Sequence, residues 1–288
     1  MAPQHLALML LICTIWGFNF VAAKVGVQEM PPLLFTGLRF LILTVVLLPC
    51  LRPARGRMGD VLVIALFNGA FHFGLMFMGL AMTGASVVAV VAQLNVPFAM
   101  VLSIIFLGEV VRWRRWCGIA MTFVGVLIVS FDPPVFEART GVAFAAAAAL
   151  SGAIASVCMR RLTQVGMFQL QAWTAVITAP LLLSSSFLFE SGQLSHIVNA
   201  QAITWAALLF TTIGASLIGH NAYYYLLQRY EVSLIAPLSL LSPILGVAFG
   251  VSMLGEPLST RIVIGAVTAF IGVAILALPG KRHGLARA

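Results

Sequence analysis

Apolar residues run along this chain in stretches of eighteen or more, parted by short segments that hold most of the prolines and charges. A helix of that length crosses about 30 Å of hydrocarbon. Ten such runs are predicted as helices. The first five are His5–Ala23, Pro32–Leu51, Asp60–Met82, Ala85–Leu107 and Trp113–Phe131. The second five are Gly141–Met159, Met167–Phe189, Ala202–Leu227, Val232–Leu254 and Arg261–Leu278. Pro31-Pro32, Asp132-Pro133-Pro134 and Ser191-Gly192 break the chain between them, as turn formers do. The alternating pattern of a barrel is missing, so helices must satisfy the backbone within lipid. No Lys or Arg precedes the first run, which is also longer than the core of a signal peptide, so it is expected to be a retained helix.

The pattern repeats. Ser86–Val129 aligned on Ser233–Leu276 with a constant offset matches at 12 of 44 positions. SVVA (Ser86–Ala89) meets SLIA (Ser233–Ala236), LGE (Leu107–Glu109) meets LGE (Leu254–Glu256), and Gly118, Phe123 and Gly125 meet Gly265, Phe270 and Gly272. Unrelated segments of such composition agree at roughly one position in ten. The offset is about half the chain, so the protein is a duplication, residues 1–135 and 136–288, rather than a solenoid. An odd number of crossings per copy turns the second half upside down. The predicted fold is an all-α polytopic membrane protein of ten transmembrane helices in two inverted five-helix repeats.

Composition agrees. Hydrophobic residues make up 61% of the chain, charged residues 8%, and the mean hydropathy is +1.08. A soluble domain carries about a quarter charged residues to wet its surface; this chain takes the lipid bilayer as its solvent. The cations are biased in position. Both termini and the even-numbered loops hold Arg52, Arg55, Arg57, Arg112, Arg114, Arg115, Arg160, Arg161, Arg229, Lys281, Arg282 and Arg287. The odd-numbered loops hold Lys24, Arg139 and Arg261. The positive-inside rule then puts both termini in the cytoplasm, and the net charge of +8 needs no nucleic-acid partner. Cys13, Cys50, Cys117 and Cys158 stand apart without metal or redox spacing. No cofactor is expected.

Inverted repeats around a site near the midplane are the architecture of secondary transporters. The eight acids, Glu29, Asp60, Glu109, Asp132, Glu137, Glu190, Glu231 and Glu256, all fall in loops or at helix ends. That pattern opposes efflux of cations by a membrane carboxylate, and no nucleophile–base pair of an enzyme is visible. Glu109 and Glu256 are each expected to cap the helix that follows them.

Polar groups inside the runs are the candidates for binding, because each is costly unless paired or facing water. Asn68, His72 and Met76 recur every four residues in the third run, and Ser216, His220 and Tyr224 in the eighth, with Asn221 and Tyr223 beside them. Gln93, Asn95 and Pro97 come from the fourth run, Trp16 and Asn19 from the first, Gln171 and Trp173 from the seventh. Arg39, the one cation deep in a run, is either neutralised by helix C-terminal carbonyls or binds a substrate carboxylate; the sequence leaves both open. The rival for all of these residues is simple helix–helix hydrogen bonding. A lining of rings, imidazoles and amides suits a small-molecule substrate that is neutral or zwitterionic with an apolar body. The candidate substrate-binding set is Trp16, Asn19, Arg39, His72, Met76, Gln93, Asn95, Trp173, His220 and Tyr224.

These residues carry a resemblance. WGFNF (Trp16–Phe20), an Arg in the second run, the Pro of the fourth, LGE at both repeat ends and the Gly-x4-Phe-x-Gly-Val after each LGE are similar to the EamA-type drug/metabolite transporters. The resemblance covers both halves and implies ten helices in inverted repeats, cytoplasmic termini, a bacterial inner-membrane location, a central cavity and export. Within that superfamily the chain most resembles bacterial amino-acid exporters of the aromatic kind, with broad export of drug-like or cationic compounds as the alternative. It departs from the pattern at Ser151-Gly152, where the sixth run would repeat the Trp-Gly of the first.

Overall fold

The computed structural model describes residues 1–54, 56–108, 112–160, 162, 165–230 and 232–277, and among these it is helical with no strand. Its long helices are α1 (Pro3–Glu29), α2 (Pro32–Cys50), α3 (Met58–Met82), α4 (Ala85–Leu107), α5 (Trp113–Ser130), α6 (Arg139–Met159), α7 (Met167–Phe189), α8 (Ala202–Leu227), α9 (Val232–Ser239 and Leu241–Leu254) and α10 (Thr260–Ala277). Nine helices among the described residues are long and apolar enough to cross a membrane, and α5 falls short of that mark. Its first turn holds Arg114 and Arg115, although its 18 residues equal the length of α10.

Glycines let the helices pack backbone to backbone. A Cβ on Gly125 of α5 would stand 2.5 Å from the Gly265 carbonyl of α10, and one on Gly272 of α10 2.6 Å from the Thr122 nitrogen of α5. The glycines the duplication repeats are therefore the seam between α5 and α10. Elsewhere α2 lies along α7, α1 along α8 and α9, and α6 along α3 and α4.

One face of the bundle is stitched together by acids that cross between halves. Glu29, at the end of α1, accepts from the Gln201 nitrogen at 3.1 Å and the Thr204 hydroxyl at 2.5 Å, at the start of α8. Glu190, after α7, accepts from the nitrogens of Leu33 and Leu34 at 2.7 and 2.9 Å, the start of α2. Glu256, after α9, accepts from the Ala85 and Ser86 nitrogens at 2.5 and 2.8 Å and from the Ser86 hydroxyl, the start of α4. Asp132, after α5, accepts from the Ser259 hydroxyl ahead of α10. A carboxylate at a helix start satisfies free amides and meets the positive end of the dipole.

This corrects the expectation for Glu256. It caps α4 of the opposite half rather than the helix that follows it, because α10 is already capped by Ser259, whose hydroxyl accepts from the Ile262 nitrogen at 3.1 Å. Glu109, Arg55, Arg161, Glu231, Lys281, Arg282 and Arg287 lie outside the described residues.

Candidate functional site

Helices α3 and α8 share one irregularity. α3 widens into a π-helical stretch at Ala65–Phe71 and α8 does so at Phe210–Gly219; each stretch ends just before a histidine, His72 or His220. The widened turn of α8 is visible in bonds that span five residues, Ser216 Oγ to the Thr211 carbonyl at 3.1 Å and His220 Nδ1 to the Ala215 carbonyl at 2.9 Å. Such π turns recur at functional sites because they re-aim side chains and loosen the backbone ladder.

The two rings meet different surroundings. His72 Nδ1 lies 2.8 Å from the Ala148 carbonyl of α6. A carbonyl only accepts, which puts a hydrogen on Nδ1 in both histidines. Beside His72, Asn95 donates to the Ala149 carbonyl at 3.1 Å. Gly152 makes that room: a Cβ there would stand 2.6 Å from Asn95 Nδ2 and 2.8 Å from His72 Nδ1. His220 instead has Trp16 against it, ring centroids 5.2 Å apart, and Trp16 also meets Tyr223 at 5.1 Å. The indole Nε1 of Trp16 donates to the Ala215 carbonyl at 3.3 Å. Ser151-Gly152 in α6 and Trp16-Gly17 in α1 thus do opposite things, one opening space beside a histidine and the other filling it.

Arg39 joins the two. It is 1% exposed, and its NH2 donates to the Ser216 hydroxyl of α8 at 2.6 Å. Its guanidinium carbon sits 4.3 Å from the centroid of Phe73, 5.5 Å from Phe77 and 5.7 Å from Phe40. Phe73 in turn touches the His72 ring at 4.9 Å, and both histidines lie within electrostatic reach of Arg39. On its other side Gln171 of α7 donates to the Ser216 carbonyl at 2.9 Å. A continuous chain therefore runs His72, Phe73, Arg39, Ser216, then Trp16 and His220 through Ala215, using side chains of both halves.

The energetics of Arg39 are unusual. Its Nε and NH1 have no hydrogen-bond partner, and the one salt bridge among the described residues is Arg57–Asp60, far along the chain. The hydrogen bond of Arg39 goes to a hydroxyl, and Nε and NH1 meet no helix carbonyl within bonding distance. Burying an unpaired ion costs several kcal/mol. A ring face returns about 2 kcal/mol or more when desolvated. The cage of Phe40, Phe73 and Phe77 offsets part of that cost and leaves a cation short of an anion.

The other candidates divide. Trp16, Arg39, His72, Asn95 and His220 belong to this cluster. Asn19 carries a buried Oδ1 without a partner, as do Gln171 at Oε1 and Asn221 at Oδ1. Tyr224 is half-buried one turn beyond His220. Gln93 turns back to the Ala89 carbonyl of its own helix at 3.4 Å. Met76 is 8% exposed and packs in the apolar core with Phe35 and Phe77. Trp173 stands apart, donating to the Arg52 carbonyl at 2.8 Å and packed beside Ala54, Val61, Ile64 and Leu162. Sequence reasoning passed over the ring cage. The signal was there, since Phe73 and Phe77 share α3 with His72 and a lone buried cation calls for ring faces.

The comparisons agree with this architecture. A profile of the EamA-like transporter family matches residues 5–131 and again residues 139–278. A probable amino-acid metabolite efflux pump of Salmonella typhimurium is 32% identical over 284 residues, covering 93% of each chain. One of the same description from Escherichia coli is 31% identical over 290 residues, covering 96% of this chain and 95% of its own. A solved crystal structure 21% identical in sequence superposes with a TM-score of 0.64 over 96% of both chains, which extends the likeness to the fold. Two profile matches spanning nearly the whole chain, and two relatives above 30% identity over more than nine-tenths of their own length, leave one assignment: this multi-pass membrane protein belongs to the EamA-like transporter family.

Proposed function

We propose that the protein exports amino acids, aromatic or large neutral, and related small metabolites across a bacterial inner membrane, with both termini in the cytoplasm. It works by alternating access between two inverted halves of five helices, α5 serving as the tenth crossing despite its two arginines. The observation that carries this reading is the chain of polar and aromatic groups from His72 through Arg39 to Trp16 and His220, drawn from both halves and embedded in apolar helices. Transporter folds hold their site where the halves meet, beside interrupted helices. The names of the two efflux-pump relatives support the substrate class.

The course of α4 and α9 supports two access states. Ala85–Val91 packs on Leu241–Leu254 at the face where Glu256 caps α4. Towards the other face Asn95–Leu107 turns to α6, and Val232–Ser239 to α1, α8 and α10. That packing supports reading this state as closed at the Glu256 face. Solute binding that favours one packing over the other shifts the population between them.

Counterflow in proteoliposomes loaded with an amino-acid panel tests the reading. Accelerated uptake of labelled aromatic or large neutral amino acids is expected. Counterflow of lipophilic cations with none for amino acids would replace it with drug export.

A further inference from the structure

We propose that Arg39 is the receptor for the carboxylate of the transported solute, an inference that rests on the export reading above and names the chemistry its site selects. Three observations carry it. Arg39 is the buried cation of the cluster, 1% exposed, and two of its three guanidinium nitrogens have no partner. Its recorded acceptor is a neutral hydroxyl, Ser216 Oγ, at 2.6 Å. Around it stand Phe40, Phe73 and Phe77, with His72 and His220 beyond.

A guanidinium is a donor only and a carboxylate an acceptor only, so the two complete each other, and one cation matches a single negative charge. The rings that cage the guanidinium then border the carbon next to that carboxylate, which favours a solute with an apolar body there. Gln171 supplies the opposite chemistry. Its Nε2 is held on the Ser216 carbonyl at 2.9 Å, and its Oε1 is buried without a partner, an acceptor on a side chain bonded to the same Ser216 that anchors Arg39. An α-ammonium is a donor only, so Arg39 and Gln171 together read the two ends of a zwitterion. Arg39 is closed over in this packing. A solute reaches it when α2 and α8 part, and it thereby favours the parted state over the closed one.

The test uses the full chain in proteoliposomes and competition against labelled L-phenylalanine. L-phenylalaninamide and phenethylamine, which lack the carboxylate, are expected to compete at least tenfold more weakly than unlabelled phenylalanine, while phenylpropionate retains part of the competition. Arg39→Gln should lower flux at least tenfold and erase the preference for acid over amide, and Arg39→Lys should keep the preference with weaker competition. An amide that competes with wild-type protein as well as the acid does overturns the proposal whether or not the variants fold, and leaves amino-acid export standing. If no amino acid exchanges at all, the export reading falls and thermal-shift binding of the same acid–amide pairs decides Arg39 separately. Preference for the acids keeps the receptor, and equal shifts remove it.

Discussion

Helix α4 is two helices in behaviour, and the contrast between its ends explains more than either end alone. Over Ala85–Val91 every residue is buried, the start is capped by Glu256, and α9 packs so closely that a Cβ on Gly250 would stand 3.1 Å from the Ser86 nitrogen. Over Asn95–Leu107 the buried residues are Pro97 and Ser103, and Ile105 is 65% exposed. A cavity of about 180 Å³ opens there beside α6, lined by Leu102, Phe106, Ile154, Val157 and Cys158. Between the ends lies a tight turn, Ala92–Leu94, followed by Pro97, which removes a backbone hydrogen bond. α9 is broken at Leu240, ahead of Pro243. Such breaks are where helices kink, and Asn95, which belongs to the cluster around Arg39, lies just past the one in α4.

This contrast is most easily broken at its tight end. Gly250→Leu puts a side chain against Glu256 Oε2, 2.8 Å from the new Cβ, and against backbone beyond it. Overpacking of this kind costs about 1–3 kcal/mol. Counterflow should fall at least tenfold and the melting temperature, followed by a thiol-reactive dye, by several degrees. Glu256→Gln is gentler: it keeps an acceptor and loses the charge at the α4 start, about 1 kcal/mol. Flux should drop severalfold, and maleimide should label a cysteine at Ser86 faster than in the wild-type background.

In that cluster, His220→Ala removes the ring that Trp16 rests on, and His72→Ala the ring between Ala148 and Phe73. Both should lower flux severalfold with membrane insertion unchanged on Western blots. Unchanged flux would reduce them to helix contacts. Ile105→Ala at the loose end should shift stability by about 0.5 kcal/mol or less, as surface changes do, with flux within twofold of wild type.

How much of this could be read from the sequence follows the same division between local and distant. Helix positions were legible because apolar run length is a local property: α4 and α7 begin and end where the runs do, and α1 differs by extending to Glu29. The repeated glycines were visible, and their use as the α5–α10 seam follows from their missing Cβ. The partner of Glu256 was not legible, since nothing near Leu254–Glu256 records that the start of α4, 170 residues away, folds against it. The same holds for Trp173 and Gln171, two residues apart on α7. One reaches Arg52 and the other Ser216, and only the packing of α7 between α2 and α8 separates them. The π stretches Ala65–Phe71 and Phe210–Gly219 carry no proline to mark them, and each ends just before a histidine of the candidate site.

Alternating access requires the tight contact between α4 and α9 to open, and that requirement can be met head-on. A Cβ on Gly246 stands 3.2 Å from the Ala89 Cβ, a little inside the span of a disulfide, so a bridge forms once α4 and α9 ease apart by a few tenths of an ångström and the neighbouring Phe20 ring yields. With Cys13, Cys50, Cys117 and Cys158 replaced, Ala89→Cys and Gly246→Cys would be oxidised in proteoliposomes and amino-acid counterflow measured before and after reduction. The oxidised protein is predicted to exchange nothing and to recover its rate on reduction; exchange at the same rate with the disulfide formed would contradict the two-state mechanism.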